Sequence, residues 1–146
     1  MTLLRPENSC YQSQYLGIPT AGLDLTYTLL YPRRAYVHGI RVVFTTSAAV
    51  ATRRIVIEVV HTAGTRLITS AAFTQTAGNA YEYWWWLDGS SQSDVPALDH
   101  YTQILPQGLY IDSAHSLRLR VVNIQAADIF GDCQAFILHD LNPAAS

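Results

Sequence analysis

The side chains of this 146-residue chain that could hold a metal or move a proton are five histidines, two cysteines and eleven carboxylates. His38, His61, His100, His115 and His139 never fall in the HxH or HxxxH spacings of paired metal ligands. Each reads as a residue of a half-buried face or a strand end. Asp128 and Asp132 stand four apart in a stretch, 126–132, that reads as a loop. They offer oxygen ligands for calcium, yet the further oxygens of a binding loop do not follow, so both read as solvated or backbone-capping carboxylates. No nucleophile elbow, Walker loop, dinucleotide fingerprint or CxxC occurs, and the carboxylates do not pair as acid and base. The expectation is a non-enzymatic chain with no catalytic residue, no cofactor and no metal. Cys10 and Cys133 are too few for a disulfide framework, and nothing places the two thiols within bonding distance.

The most unusual segment is aromatic: Tyr81, Glu82, Tyr83, Trp84, Trp85, Trp86 and Leu87. As a strand it directs Tyr81, Tyr83, Trp85 and Leu87 to one side, and Glu82, Trp84, Trp86 and Asp88 to the other. The acids mark the second side as the outer face, which leaves Trp84 and Trp86 exposed on an isolated chain. Three readings follow: contact with another protein subunit, a stacking platform for a sugar ring, or coverage within the monomer by an arm or loop.

Strands must position these residues. From Leu25 onward, short segments rich in Val, Ile, Thr, Tyr and Phe recur between turn signals, with the period of strands rather than helices. The segments are 35–46, 53–61, 66–74, 81–87, 100–105, 109–111, 116–122 and 134–139. The second and third are joined by a tight turn at 62–65 into a hairpin that aligns Leu67, Thr69, Ala71 and Phe73 on one face. A polar loop is expected at 88–94. The fold class is therefore all-β, an antiparallel two-sheet sandwich of about eight strands, jelly-roll-like. Residues 1–24 lack a sustained period and read as an irregular N-terminal arm ahead of a 25–146 sandwich domain. Its apolar Tyr11, Tyr15, Leu16 and Ile18 suit it to lie on its own body or on a neighbour. Together with Trp84 and Trp86 they are the candidate interface residues.

Composition narrows the partners. Charged residues are only 14%, and all nine basic residues are arginine. Arginine and aromatics are favoured, and lysine disfavoured, where a surface meets another protein, although codon bias toward arginine gives the same count. A net charge of −2 leaves no basic field for a phosphate backbone, so nucleic acid is excluded as a partner. No apolar run reaches the roughly 18 residues of a membrane span, and the first residues lack an export signal.

The stretch from Arg41 through Thr46, Ser47 and Ala48 to Arg53, Arg54 and Val59 resembles a recurrent pattern in small structural proteins of tailed bacteriophages. There a strand ends in Thr-Ser-Ala, a small-residue link follows, and an Arg opens the next apolar strand. The later run from Ile104, Leu105 and Pro106 to Leu117 and Asn123, then Ala127, Asp128 and Phe136 to Asp140, is similar to the same group. The resemblance covers 35–140 and implies a small β-sandwich virion component made in the host bacterial cytoplasm. The implied role is a capsid decoration or cement subunit that contacts the major capsid protein or another virion protein and its own copies. A homo-oligomer is expected, with a trimer as one candidate symmetry, and no membrane partner. A carbohydrate-binding module using Trp84 or Trp86 on a virion surface or tail is the alternative, and a hydrolase on the same scaffold rests on fold analogy alone.

Overall fold

The computed structural model describes residues 9–28, 34–61, 63–71, 74–87, 99–106 and 109–140. Among them are ten strands and no helix: β1 (Ser9–Tyr15), β2 (Leu25–Thr28), β3 (Arg34–Thr45), β4 (Arg54–His61), β5 (Gly64–Ser70), β6 (Ala80–Trp86), β7 (Asp99–Ile104), β8 (Tyr110–Ile111), β9 (His115–Val122) and β10 (Ile129–Asp140). One sheet has the order β1-β10-β3-β6-β7, with β8 also paired to β3, and the other has the order β2-β9-β4-β5. Without β7 and β8 the sheets read β1-β10-β3-β6 over β2-β9-β4-β5. That is the order two Greek keys produce, so the sandwich is a jelly roll with β7 and β8 inserted between β6 and β9.

Alternation builds the core. Val37, Ile40, Val42 and Phe44 of β3 point inward beside Tyr83 and Trp85 of β6, facing Ile55, Ile57 and Val59 of β4 and Leu117, Leu119 and Val121 of β9. Phe44 and Phe130 pack with ring centroids 4.9 Å apart. Tyr83, buried, donates its hydroxyl hydrogen to Gln75 Oε1 at 2.9 Å, which keeps a polar group in the core satisfied.

All eight expected segments appear as strands, but four details differ. Within the expected irregular arm, residues 9–15 form β1, paired along its whole length with β10, so the arm reading is corrected there. Residues 16–24 then cross to the second sheet. Gly22 (φ 78°) lies so close to Ala126 that a Cβ would sit 2.9 Å from its Cα. Second, the expected loop at 126–132 gives way to strand from Ile129, because a register shift between Phe130 and Cys133 lets both face the core. Third, β6 and β7 run parallel, a departure from the wholly antiparallel expectation. Fourth, the β4–β5 ladder carries an irregularity between Ile57, paired with Thr69, and Glu58, paired with Leu67, so the hairpin register is not the unbroken one expected. The expected loop at 88–94 and Phe73 lie outside the described residues.

A buried ion pair closes the β3–β4 link. Arg53 and Asp128 are fully buried, with Arg53 Nε 2.9 Å from Asp128 Oδ2 and Nη2 2.9 Å from Oδ1. Arg53 Nη1 donates to the carbonyls of Ala49 (2.8 Å) and Ala51 (2.6 Å), while Asp128 accepts the N–H of Ser47 (2.7 Å) and Gln125 (2.8 Å). Burial pushes the Asp128 carboxyl up, but the hydrogen bonds from Arg53, Ser47 and Gln125 outweigh it and hold the pKa at about 2. The arginine that opens β4 is thus a clamp on the link.

Candidate functional site

The register of the six-stranded sheet assembles a cross-strand row on its outer face. Ser13 of β1 stands opposite Phe136 of β10, Phe136 opposite Gly39 of β3, Gly39 opposite Trp86 of β6, and Trp86 opposite Ile104 of β7. The next row is Tyr15, Gln134, Arg41, Trp84 and Thr102. Tyr83 and Trp85 point the opposite way into the core, as alternation requires.

Gly39 determines how Trp86 lies. A Cβ at this position would come within 2.3 Å of the indole Cε3 and Cζ3, so only glycine lets the ring settle on the β3 backbone. From there Trp86 stacks on Trp84, with centroids 5.6 Å apart at 18°, and meets Phe136 edge-on at 5.8 Å and 61°. Trp84 in turn donates its indole N–H to Glu82 and lies beneath Arg41, whose guanidinium carbon is 5.7 Å from the ring centroid.

Arg41 is buried and joins two acids: Nη2 is 2.8 Å from Glu82 Oε2, and Nη1 is 2.6 Å from Asp132 Oδ2. Burial opposes the Arg41 charge, but the hydrogen bonds to Glu82 and Asp132 more than offset it and raise its pKa. Glu82 is itself fully buried, while the Asp132 side chain is 49% exposed. A shallow cleft of about 190 Å³ lies over Gly39, bordered by Trp84, Trp86, Arg41, Gln134, Phe136 and Ser13.

The expected interface residues divide. Trp84 and Trp86 are on the outer face as read, but Trp84 is only 8% exposed, because Trp86 and Arg41 cover it. The expectation that both indoles stand open is corrected for Trp84; Trp86 is half-buried. Leu16 is corrected too: it joins the sandwich core, its N–H donated to Cys133 O at 3.0 Å. Tyr15 and Ile18 are exposed at 52% and 59%. Tyr11 occupies the register position opposite Leu138 on β10.

Other candidates resolve into structure. Asp128 and Asp132 bind different arginines and do not share a site. His61 and His115 stand opposite each other on β4 and β9 with ring centroids 4.7 Å apart, and His115 Nδ1 is 2.5 Å from Asp112 Oδ1. Among the described residues no group of three or more His, Cys, Asp or Glu is placed to hold a metal. Cys133 is buried and unbridged, and Cys10, opposite His139, stands six residues along β10 from it, roughly 20 Å at about 3.3 Å per residue.

Sequence reading missed Gly39, Arg41, Phe136 and Ile104 as parts of this face, and the burial of Glu82, which it did place there. The available signal was the alternation of Arg41 and of Phe136 onto the outer sides of their strands. No protein family, curated protein or solved structure matches the chain.

Proposed function

We propose that this chain is a non-enzymatic structural protein of a bacteriophage virion, a capsid decoration or cement subunit that attaches through the outer face of the six-stranded sheet. The observation that carries the reading is the apolar row Phe136, Trp86 and Ile104 flanked by Tyr15. Ile104 is 68% exposed and Tyr15 52%, an amount of apolar and aromatic surface on one face that suits a protein partner. The 41–59 and 104–140 sequence runs support placing that partner in a phage particle.

Trp84 has little surface left to bury, so the anchoring passes to Trp86, Tyr15 and Ile104. An aromatic side chain brings about 150–250 Å², and at about 25 cal/mol/Å² two of them contribute on the order of 8–12 kcal/mol as an upper bound. Association costs about 4–15 kcal/mol, so the row anchors an interface that further contacts must complete.

A second reading is favoured by the cleft over Gly39, where an indole adjoins Arg41, Gln134 and Ser13. That combination suits a pyranose ring held by stacking and hydroxyl contacts. One experiment separates the two. Purified chain is mixed with phage heads lacking it and sedimented, and is titrated in parallel with a panel of mono- and oligosaccharides followed by tryptophan fluorescence. Saturable co-sedimentation without sugar response supports the structural subunit. A sugar response without co-sedimentation supports the glycan module and overturns it.

A further inference from the structure

Among the described residues four strands end the two sheet orders, beside the two-residue β8 that pairs with β3 alone, and three of the four carry features that discourage pairing with another chain. β2 is only four residues long, β5 contains Arg66 and meets β4 through a register irregularity, and β7 begins on Asp99. β1, with the sequence Ser-Cys-Tyr-Gln-Ser-Gln-Tyr, has neither charge nor proline and pairs with β10 in unbroken register over seven residues. Among the described residues nothing pairs with its other edge. Leu16 donates its N–H to Cys133 O, so antiparallel alternation turns the backbone groups of Gln14, Gln12 and Cys10 toward β10. Those of Ser9, Tyr11, Ser13 and Tyr15 turn to the free edge.

We propose that β1 pairs antiparallel with β1 of a second copy of this chain, about a two-fold axis at Gln12, joining two six-stranded sheets into one. Gln12 is the middle of the seven described residues of the strand, and that register engages each outward-turned residue among them. Ser9 meets Tyr15 and Tyr11 meets Ser13, each in both directions, so every Tyr position faces a Ser position. At the axis Gln12 meets its own copy, where one amide donates and the other accepts. No charges oppose, and both Gln12 and Ser13 are exposed on the single chain. The reversed sequence of β1 is thus complementary to itself, which is why a second copy, rather than an unrelated strand, fits this edge. Two strands related by such an axis close into a dimer, not the trimer that sequence left open.

An axis perpendicular to the sheet leaves both Trp86 faces on the same side. The dimer then presents two docking faces to one partner surface, and in this consequence alone the inference rests on the proposed attachment.

Analytical ultracentrifugation of the full chain tests the pairing. The wild type should sediment at twice the 16.2 kDa chain mass. Gln12→Lys and Gln12→Glu, each placing like charges across the axis, should sediment as monomers with unchanged circular dichroism, and their equimolar mixture should recover the dimer. As a second measurement, Gln12→Cys in a Cys10→Ser background should form a covalent dimer under mild oxidant. A monomeric wild type at all micromolar concentrations overturns the proposal, as do charge variants that remain dimeric or a cysteine variant that stays uncrosslinked. Trp86→Ala should dimerise like the wild type, so a failure of the docking face and a failure of the β1 edge remain distinguishable.

Discussion

On the outer face of the four-stranded sheet, Glu58 accepts hydrogen bonds from Arg118 Nε at 2.8 Å and Arg120 Nε at 2.7 Å, and Val56, opposite Arg120, is buried. On the outer face of the six-stranded sheet the equivalent ground is held by Trp84, Trp86 and Phe136, and the ion pair there, Arg41 with Glu82, is buried against Trp84. Both sheets use an arginine–glutamate pair, but in opposite senses. The arginines of the first remain 30% and 38% exposed and present charge to water above a Glu58 that is itself only 5% exposed. The pair of the second is 8% and 0% exposed and lies packed among aromatic side chains. A face finished with partly hydrated arginines resists association, while a face whose ion pair is buried among aromatic side chains invites it.

The sharpest way to break this comparison is to remove the acid from each side. Glu82→Ala leaves buried Arg41 with the half-exposed Asp132 as its remaining acid and takes away the partner of the Trp84 N–H, so urea denaturation should show a loss of about 2–4 kcal/mol. Glu58→Ala removes a buried carboxylate but leaves two part-exposed arginines free to reach solvent, and should cost less, about 1–2 kcal/mol. Equal losses would mean that the two pairs play the same part.

Acid should come next. The Asp128 carboxyl has a folded pKa of about 2 against about 3.9 when unfolded, so its contribution is fully present above about pH 5 and is lost as pH falls through about 2 to about 1. The loss should amount to about 2–3 kcal/mol in denaturation curves taken across that window, and Asp128→Asn should flatten the dependence. Glu58 is also held below the ordinary carboxylate range, because the bonds from Arg120 and Arg118 outweigh its burial, and it adds to the same acid loss in the same direction.

Gly39→Ala should cost about 1–3 kcal/mol through overpacking. Its clearer sign is spectroscopic: the indole of Trp86 is driven from its seat, and the near-ultraviolet dichroism of the Trp84–Trp86 stack should collapse. The smallest effect is that of salt. Raising sodium chloride to about 1 M should weaken the Glu58 triad by under about 1 kcal/mol, and Glu58→Gln should abolish that sensitivity.

How far sequence carried this picture differs between the same regions. Strands with an apolar face were readable from alternation, as in β9, where Leu117, Leu119 and Val121 alternate with Ser116, Arg118 and Arg120. β1 was not, because Cys10, Gln12 and Gln14 alternate with Ser and Tyr and no side is apolar; an edge strand held by backbone pairing needs no such pattern. The outer position of Trp84 and Trp86 followed from period 2 alone. The burial of Trp84 did not, since Arg41 lies 43 residues before it and β10, which supplies Asp132 and Phe136, lies about 50 residues after it in the chain. The absence of a side chain at Gly39 acts only across a strand pairing that sequence does not display.

The central claim is that the aromatic face is the attaching face and the charged face is not. The direct measurement is co-sedimentation with phage heads of three forms of the chain matched for folding by circular dichroism: wild type, Trp86→Ala, and Arg118→Ala with Arg120→Ala. The account predicts that Trp86→Ala weakens attachment at least about tenfold, the loss of about 1.4 kcal/mol or more expected of a buried aromatic anchor, and that the double arginine variant attaches like the wild type. Full attachment of Trp86→Ala, or loss of attachment in the arginine variant alone, would contradict it.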